Sequence, residues 1–295
     1  MNAPSPMLPQ ASLGDDAIAH ALASGATEVL LALRAAVDAA GGSFDAKELK
    51  DAGDAAAQAW LAAALSAARP ADAVLSEEAT DGSGRLTADR VWIIDPLDGT
   101  REFAERHADG PSAGRWRDDF AVHVALWERG PGLTAGAVAL PARAQVLTTA
   151  DAVVPGTSLD TRTAAVRSGE RPLRIAASRS RPPEFVSALA ERDDVELVPM
   201  GSAGVKTLAV ADGGVDAYVH SGGQYEWDSA APVAVARSRG LVCTRLDGSE
   251  LEYNRESPWL PDLFVCPPTL APRLRELLDT VGVASVAGAD RKEGA

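Results

Sequence analysis

The chain has 295 residues, of which 46% are hydrophobic and 24% charged, a composition typical of a globular protein with a substantial core. Its formal net charge of −14 at pH 7 argues against nucleic acid polymers and anionic membranes as partners. The sequence lacks an uncharged apolar run of about 18 residues and a signal-peptide pattern, so we predict a cytoplasmic protein.

The first half of the chain alternates helical and strand patterns. Apolar residues at helical spacing predict a first helix over Asp16–Ala39 and a second over Gly53–Ala68. Strand-like runs end just before Glu77 and just before Asp95, and a central strand is predicted over Asp119–Glu128. The segments GAVALP and AQVLTT predict a hairpin on the same sheet.

The second half alternates more regularly between short strands and helices, which favours an α/β sheet covered by helices. The stretch Val154–Gly169 shows no clear period, and we therefore place a domain boundary there. The predicted halves are residues 11–155 and 156–288. The two cysteines, Cys243 and Cys266, lie in apolar surroundings without CxxC spacing and are predicted to be buried free thiols.

Two predicted strands of the first half end on pairs of carboxylates. Glu77 and Glu78 follow one strand, and Asp95 and Asp98 follow another. Either pair alone is typical of a solvated loop or turn. Together they would gather negative charge that needs cations, and hard oxygen ligands favour Mg²⁺.

The Asp-x-x-Asp spacing suggests how one such site could be built. Pro96 is expected to stop the strand, so that Asp95, Asp98 and the Leu97 carbonyl turn toward one point. Two metal ions held there, roughly 3.5–4 Å apart, would clamp the attacking and leaving oxygens of a phosphate ester.

Three further residues could extend this site. Gly99 allows a close backbone approach at the start of a helix whose free amides suit an oxyanion, and the Thr100 hydroxyl could orient a water molecule. Asp228 lies where helical character begins. It is either an N-cap or a carboxylate that the second half adds to the metal site.

The segments SEE, WIIDPLDGT, GSAGVK and WDSAAP occur here in the order found in the inositol monophosphatase-like superfamily, which the chain resembles from its first helix to about Pro268. The resemblance implies a layered α/β fold, an α/β/α/β sandwich with the site between two halves. It also implies a phosphatase that uses two or three Mg²⁺ ions, with Mn²⁺ as a substitute.

The resemblance assigns roles residue by residue. The implied metal ligands are Glu77, Asp95, the Leu97 carbonyl, Asp98 and Asp228. Glu78 and Thr100 would support the activated water. Asp54 best matches a further family aspartate near Thr100, but the threonine usual in that segment is replaced, which leaves the third metal position open.

Within the superfamily, DPLDGTREF and GSAGVK are most similar to the bisphosphate nucleotidases of the CysQ type. Lys206 stands where inositol-type enzymes have a neutral asparagine, and the nucleotidases use a lysine there for the second phosphate of the substrate. The chain has only four lysines against 24 arginines, so this lysine is not a compositional habit. The alternative is a lysine on the surface of a helix.

The resemblance extends to other substrate contacts. His220 replaces the glutamate of the inositol enzymes and the arginine of many nucleotidases, giving only part-time positive charge. Arg181 stands where histidine is usual in the segment that holds the nucleotide. The full set of predicted substrate-binding residues is Gly99, Thr100, Gly201, Ser202, Ala203, Lys206, Ser180, Arg181 and His220. Trp116 and His123 either line the mouth of the site or pack internally.

The implied reaction is hydrolysis of the 3'-phosphate of 3'-phosphoadenosine 5'-phosphate to AMP and phosphate. The partner is thus a small phosphorylated substrate. An inositol monophosphatase or fructose bisphosphatase stays open as an alternative, and so does a phosphate-binding protein without catalysis. The oligomeric state is also open, with a homodimer as one option.

Overall fold

A computed structural model of the protein describes residues 6–151 and 159–283, apart from the side chain of Asp160. Its first half contains α1 (Asp15–Ala39), α2 (Ala46–Ala68), β1 (Ala73–Ser76), β2 (Arg90–Asp98), α3 (Thr100–Phe103), β3 (Ala121–Glu128), β4 (Gly132–Leu140) and β5 (Gln145–Thr148). Its second half contains α4 (Leu159–Arg167), β6 (Leu173–Ser178), α5 (Glu184–Leu189), β7 (Val195–Met200), α6 (Ala203–Asp212), β8 (Ala217–Tyr225), α7 (Glu226–Ser238), β9 (Val242–Thr244), β10 (Trp259–Cys266) and α8 (Ala271–Thr280).

The described strands form two five-stranded sheets, ordered β1-β2-β3-β4-β5 and β7-β6-β8-β10-β9. Residues Val91–Ile94 of β2 are apolar on both sides of the strand because both faces of the first sheet are covered. Trp92 and Ile94 pack with α1 and α2, whereas Val91 and Ile93 face the core that contains α6 and α7. Helices α6 and α7 therefore lie between the two sheets.

The predicted layered α/β fold is confirmed, and the structure adds an outer layer of helices. Residues of α4, α5 and α8 form a third core with the second sheet, in which Ile175, Val219 and Phe264 point away from α6 and α7. The order is thus helices α1 and α2, first sheet, helices α6 and α7, second sheet, helices α4, α5 and α8.

Several boundaries differ from the predictions for physical reasons. Helix α2 begins before Gly53 because the Asp45 carboxylate caps it, accepting hydrogen bonds from Lys47 N and Glu48 N. Helix α4 lies in the segment where no period was evident. The predicted domain boundary between residues 155 and 156 lies outside the described residues and stays a prediction.

The prediction that Pro96 stops the strand is wrong. Strand β2 continues to Asp98, and its pairing with β3 shifts register between Asp95 and Asp98. Proline lacks an N–H, and such a bulge leaves residues without ladder partners, so Pro96 is tolerated there. The bulge changes which way the two aspartates point without ending the strand.

Helix α1 is long and apolar enough to cross a membrane by length and composition alone. In the structure it is a core helix: Ile18, Leu22 and Leu30 are fully buried, and it packs against α2, β3 and β4. The predicted buried thiols are confirmed. Cys243 and Cys266 are both free and buried, and burial raises the pKa of each to about 12.

Candidate active site

Three carboxylates meet where the end of β2 faces the start of α7. Asp95, Asp98 and Asp228 each present an oxygen atom, and these atoms all lie within 4.8 Å of one another. Asp228 Oδ2 also accepts a hydrogen bond of 2.6 Å from Tyr225 N. The N-cap is Tyr225, so the interpretation of Asp228 as the N-cap is wrong; Asp228 is the third helical residue and completes a capping box. Its role as a metal ligand stays a prediction.

Burial of like charges raises the pKa of two of these carboxyls. Asp95 is 1% exposed; desolvation, followed by the Asp98, Glu77 and Asp228 charges, holds its pKa well above the usual range. Desolvation and the Asp98 charge raise the pKa of Asp228 to about 7. All donors here are hard carboxylate oxygens, and a divalent cation would relieve their repulsion, so the residues present fit a metal site.

Asp98 is held as an anion instead. Desolvation acts to raise its pKa, but the charges of His123 and Lys206 and a hydrogen bond from Ser202 lower it overall. Ser202 Oγ donates to Asp98 Oδ2 at 2.5 Å, and Gly204 N donates to the same oxygen at 2.9 Å. The start of α6 thereby orients one carboxylate of the cluster.

His123 lies beneath the cluster, fully buried, and does not line the mouth of the site. Its Nε2 is 3.2 Å from Asp98 Oδ2, and its Nδ1 is 3.1 Å from the Trp227 carbonyl oxygen. A Cβ at position 204 would come within 2.2 Å of His123 Nε2, so Gly204 permits this close approach of α6. The sequence signal was a histidine within an apolar central strand, and the structure pairs this residue with Asp95.

The other predicted acids approach the cluster from β1 and α2. Strand β1 runs parallel to β2, with Ser76 paired to Ile94, so Glu77 follows β1 as Asp95 follows Ile94. Displacement of water, then the Asp98 and Glu78 charges, raises the pKa of Glu77 to about 7, although Glu77 keeps exposed surface. Desolvation and the charges of Glu78 and Glu77 raise the pKa of Asp54 to about 7 as well.

The pKa values predict how the metal-free protein responds to pH. Asp54, Glu77 and Asp228 keep protons near pH 6 that the unfolded chain has already lost. Stability from these groups is therefore present at acidic pH and lost as the pH rises through about 7. We expect the Tm in EDTA to fall between about pH 5.5 and 8.5, and Mg²⁺ to reduce that fall. A Tm in EDTA that rises over this range would contradict the assignment.

Gly99 forms the sharp connection between β2 and α3. Its φ is +90°, and a Cβ there would lie 3.3 Å from the Asp119 carbonyl oxygen and from Phe120. Helix α3 has only four residues, so the expected helix start is a single turn beginning at Thr100. Leu97 N donates to Asp95 Oδ1 at 3.0 Å, which ties this corner to the cluster.

Replacing Gly99 by alanine is expected to lower the Tm and to reduce kcat, because the left-handed backbone strains alanine by about 1–2 kcal/mol and the corner carries Thr100. Circular dichroism melts and initial rates would measure both effects. Gly14, which has open space for a Cβ and an ordinary φ of −65°, provides the matched control Gly14→Ala. Equal behaviour of the two variants would contradict the role of the corner.

Lys206 is not a surface lysine, so that alternative is wrong. Its side chain lies within α6 at 5% residue exposure, and its Nζ donates to the Ser202 carbonyl at 2.6 Å. The ammonium also lies 5.2 Å from the centre of the Tyr218 ring. Burial lowers its pKa, while Asp98 and nearby carboxylates oppose that shift.

His220 supplies no charge near neutral pH. Desolvation and the Lys206 charge lower its pKa to about 4, so the expected part-time positive charge is wrong. Its Nε2 is 3.1 Å from the Gly222 carbonyl oxygen. Since a carbonyl only accepts, the neutral ring carries its proton on Nε2 and leaves Nδ1 as an acceptor.

In the segment after β6, Arg179 makes ion pairs with the first half of the chain, whereas Ser180 and Arg181 are exposed. Arg179 NH2 donates to Glu102 Oε1 at 2.7 Å and also pairs with Glu105, so this arginine joins the second half to α3. Ser180 and Arg181 remain exposed, with Arg181 N donating to Ser178 Oγ at 3.2 Å. Their contact with a nucleotide stays a prediction.

The GSA segment supports the site from within. Gly201, Ser202 and Ala203 are all buried, and Gly201 N donates to Asp119 Oδ2 at 2.7 Å.

Trp116 packs in its own loop: its ring lies 4.9 Å from that of Phe44, and its Nε1 donates to Asp38. It therefore belongs to loop packing.

Comparison with known proteins agrees with this geometry. Residues 15–281 match the sequence model of the Inositol monophosphatase family, and the chain belongs to that family. A protein of Mycobacterium leprae named 3'-phosphoadenosine 5'-phosphate phosphatase is 47% identical over 274 residues, which cover 90% of this chain and 93% of the relative. A protein of the same name from Mycobacterium tuberculosis is 50% identical over 230 residues, covering 77% and 80%.

More distant relatives share the fold. The 3'(2'),5'-bisphosphate nucleotidase CysQ of Escherichia coli K12 is 30% identical over 209 residues, covering 70% of this chain and 80% of that protein. The solved structure of CysQ from Bacteroides thetaiotaomicron superposes with a TM-score of 0.66 at 24% identity, covering 86% and 97%. Staphylococcal IMPase-II gives a TM-score of 0.69 at 18% identity, covering 94% and 98%.

Proposed function

We propose that this protein is a Mg²⁺-dependent phosphatase that hydrolyses the 3'-phosphate of 3'-phosphoadenosine 5'-phosphate, releasing AMP and phosphate. The observation that carries the proposal is the cluster of Asp95, Asp98 and Asp228, built from both halves of the chain. Mycobacterial relatives of this name, at 47% and 50% identity, support the choice of substrate.

The residues that would hold the metal ions are Glu77, Asp95, the Leu97 carbonyl, Asp98 and Asp228. When bound there, Mg²⁺ supplies positive charge to the phosphate oxygens and lowers the pKa of a bound water. Mn²⁺ prefers similar oxygen ligands and is expected to substitute. The number of ions, two or three, depends on whether Asp54 and the Glu77–Glu78 loop complete a third position.

The chain's own groups would position the attacking water. Glu78 and Thr100 hold it in line with the bond to be broken, and Glu78 accepts its proton. Desolvation, followed by the nearby Glu78 charge, raises the pKa of Asp54 to about 7, so Asp54 can share the proton. Asp98 stays fixed by Ser202 and Gly204 throughout, which preserves the geometry of the site.

The second phosphate of the substrate would meet Lys206. One N–H of its ammonium is committed to the Ser202 carbonyl, which leaves two for phosphate oxygens. His220 Nδ1 would accept a hydrogen bond from a hydroxyl or amino group of the nucleoside, a role for a neutral ring. The remaining contacts would come from Gly99, Thr100, Gly201, Ser202, Ala203, Ser180 and Arg181.

This assignment also bears on the protein's setting. A formal net charge of −14 disfavours nucleic acid polymers and anionic membranes and suits a cytoplasmic enzyme that acts on a small substrate. A homodimer is one option for the oligomeric state, which light scattering would test.

A substrate panel tests the proposed function. Release of phosphate from 3'-phosphoadenosine 5'-phosphate, inositol 1-phosphate and fructose 1,6-bisphosphate is measured with Mg²⁺ and with EDTA. We expect the highest kcat/KM on the nucleotide and no release in EDTA. A preference for either sugar phosphate would support the alternative phosphatases. Binding of the nucleotide without release would support the non-catalytic binder.

A further inference from the structure

The loop after β1 carries Glu77 and Glu78, yet it has little packing of its own. Every residue from Glu77 to Gly84 is exposed, and the next residue, Arg85, is only 2% exposed. A short exposed loop does not by itself hold carboxylates in one geometry, because few buried contacts oppose its motion. Arg85 is thus the buried anchor at the far end of this loop.

All five N–H groups of the Arg85 guanidinium are used. Nε and NH2 donate to the two carboxylate oxygens of Asp81, at 2.7 and 2.8 Å. NH1 donates to Asn254 Oδ1 at 2.9 Å and to the Arg255 carbonyl at 2.8 Å, and NH2 reaches the Glu256 carbonyl at 3.3 Å. Asn254 Nδ2 returns a bond of 3.1 Å to the Arg85 carbonyl. One side chain therefore joins the middle of the exposed loop to a loop of the second half.

The partner loop is itself fixed to the start of α7. The Glu226 carboxylate accepts hydrogen bonds from Asn254 N at 2.6 Å and Arg255 N at 2.8 Å. Glu226 is 1% exposed and is the first residue of α7, two positions before Asp228. A continuous path of polar contacts thus runs from the exposed Asp81 through the buried Arg85, Asn254 and Glu226 to the helix that presents Asp228.

We propose that Arg85 is a positioning residue that holds the Glu77–Glu78 loop in register with Asp228 across the two halves of the chain. The proposal rests on the proposed metal-dependent function, since it concerns ligands for the same ions. A bidentate ion pair with Asp81 suits this task, because the planar guanidinium fixes direction as well as distance.

The central test compares Arg85→Gln with the wild-type protein. Mn²⁺ binding is measured directly by electron paramagnetic resonance, and phosphate release is measured against Mg²⁺ concentration. Residues that orient metal ligands change metal affinity by about 10- to 100-fold when replaced, and we expect Mn²⁺ binding to weaken by that amount. A folded variant that binds Mn²⁺ within about twofold of wild type would overturn the proposal.

Arg90→Gln is the matched control. Arg90 also makes a network of ion pairs, with Asp15, Asp72 and Glu128, but at the opposite end of β2. It lies five residues from Asp95, about 16 Å along the strand. We expect Arg90→Gln to lower the Tm and to leave Mn²⁺ affinity unchanged. Equal weakening by both variants would mean that Arg85 acts only through general stability.

Asn254→Gly keeps the test valid if Arg85→Gln fails to fold, because glycine adopts the φ of 57° at this position without strain. This variant leaves the Arg85–Asp81 pair intact and removes its side-chain link to the second half, so Mn²⁺ affinity should again fall. Where both variants fold, a double-mutant cycle should show effects of Arg85→Gln and Asn254→Gly on Mn²⁺ affinity that are less than additive. Additive effects of the two substitutions on Mn²⁺ affinity would contradict the proposal that Arg85 and Asn254 act through one path of contacts. If the wild-type protein binds Mn²⁺ but does not hydrolyse the nucleotide, the proposed substrate is refuted. The role of Arg85 is still decided by the Mn²⁺ affinities of the variants.

Discussion

Asp98→Asn is expected to abolish hydrolysis, with a fall in kcat of roughly 10³-fold or more, while the protein still folds. Three groups converge on Asp98: the Ser202 hydroxyl, Gly204 N and the His123 ring. Asparagine retains the shape but loses the charge, and its amino group can face donors that need an acceptor. The cluster would then lack the carboxylate whose pKa the surroundings hold low.

The measurement is the initial rate of phosphate release at saturating substrate and Mg²⁺, with circular dichroism to verify folding. Asp89→Asn is the matched control, because the Asp89 side chain is 87% exposed and lies outside the cluster. Asp89→Asn should keep the wild-type rate. An Asp98→Asn protein that retains more than about a tenth of the wild-type kcat would exclude the proposed metal arrangement.

Lys206→Gln should change which substrate is used. Loss of a buried cation opposite a phosphate costs about 2–5 kcal/mol, so kcat/KM for 3'-phosphoadenosine 5'-phosphate should fall by roughly 30-fold or more. The loss should be smaller for inositol 1-phosphate, which has no second phosphate to meet Lys206. Some loss on both substrates is expected, because Lys206 also helps to lower the pKa of Asp98.

Steady-state kinetics on both substrates would measure this difference, with Lys47→Gln as control. The Lys47 side chain is 82% exposed and pairs with Asp51 on the surface of α2, so its loss should affect neither substrate. If Lys206→Gln lowers kcat/KM by the same factor on both substrates, Lys206 acts only by supporting Asp98 and does not contact the second phosphate.

Local patterns in the sequence predicted much of the fold. Helix α1, the β4–β5 hairpin and the alternation of the second half follow from periodicity and turn residues, which act over a few positions. The carboxylates just after β1 and at the end of β2 were predictable for the same reason. The bulge at Pro96 was not, since it depends on how β2 pairs with β3.

The support of the site depends on contacts between distant parts of the chain. Asp98 and Ser202 are 104 positions apart, and Arg85 and Asn254 are 169 apart. No periodicity reports such pairs. The burial of Lys206 could have been predicted locally, because the nearby Val205 and Leu208 are apolar. In the structure, α6 is buried on nearly every side between two sheets. That signal indicates a core helix, in which a lysine needs a partner.

Phosphorus NMR of 3'-phosphoadenosine 5'-phosphate incubated with the enzyme tests the central claim most directly. With Mg²⁺, we predict that the 3'-phosphate signal is replaced by that of inorganic phosphate while the 5'-phosphate signal persists, and that EDTA prevents the change. Loss of the 5'-phosphate first, or equal hydrolysis in EDTA, would contradict a metal-dependent site that selects the 3'-phosphate.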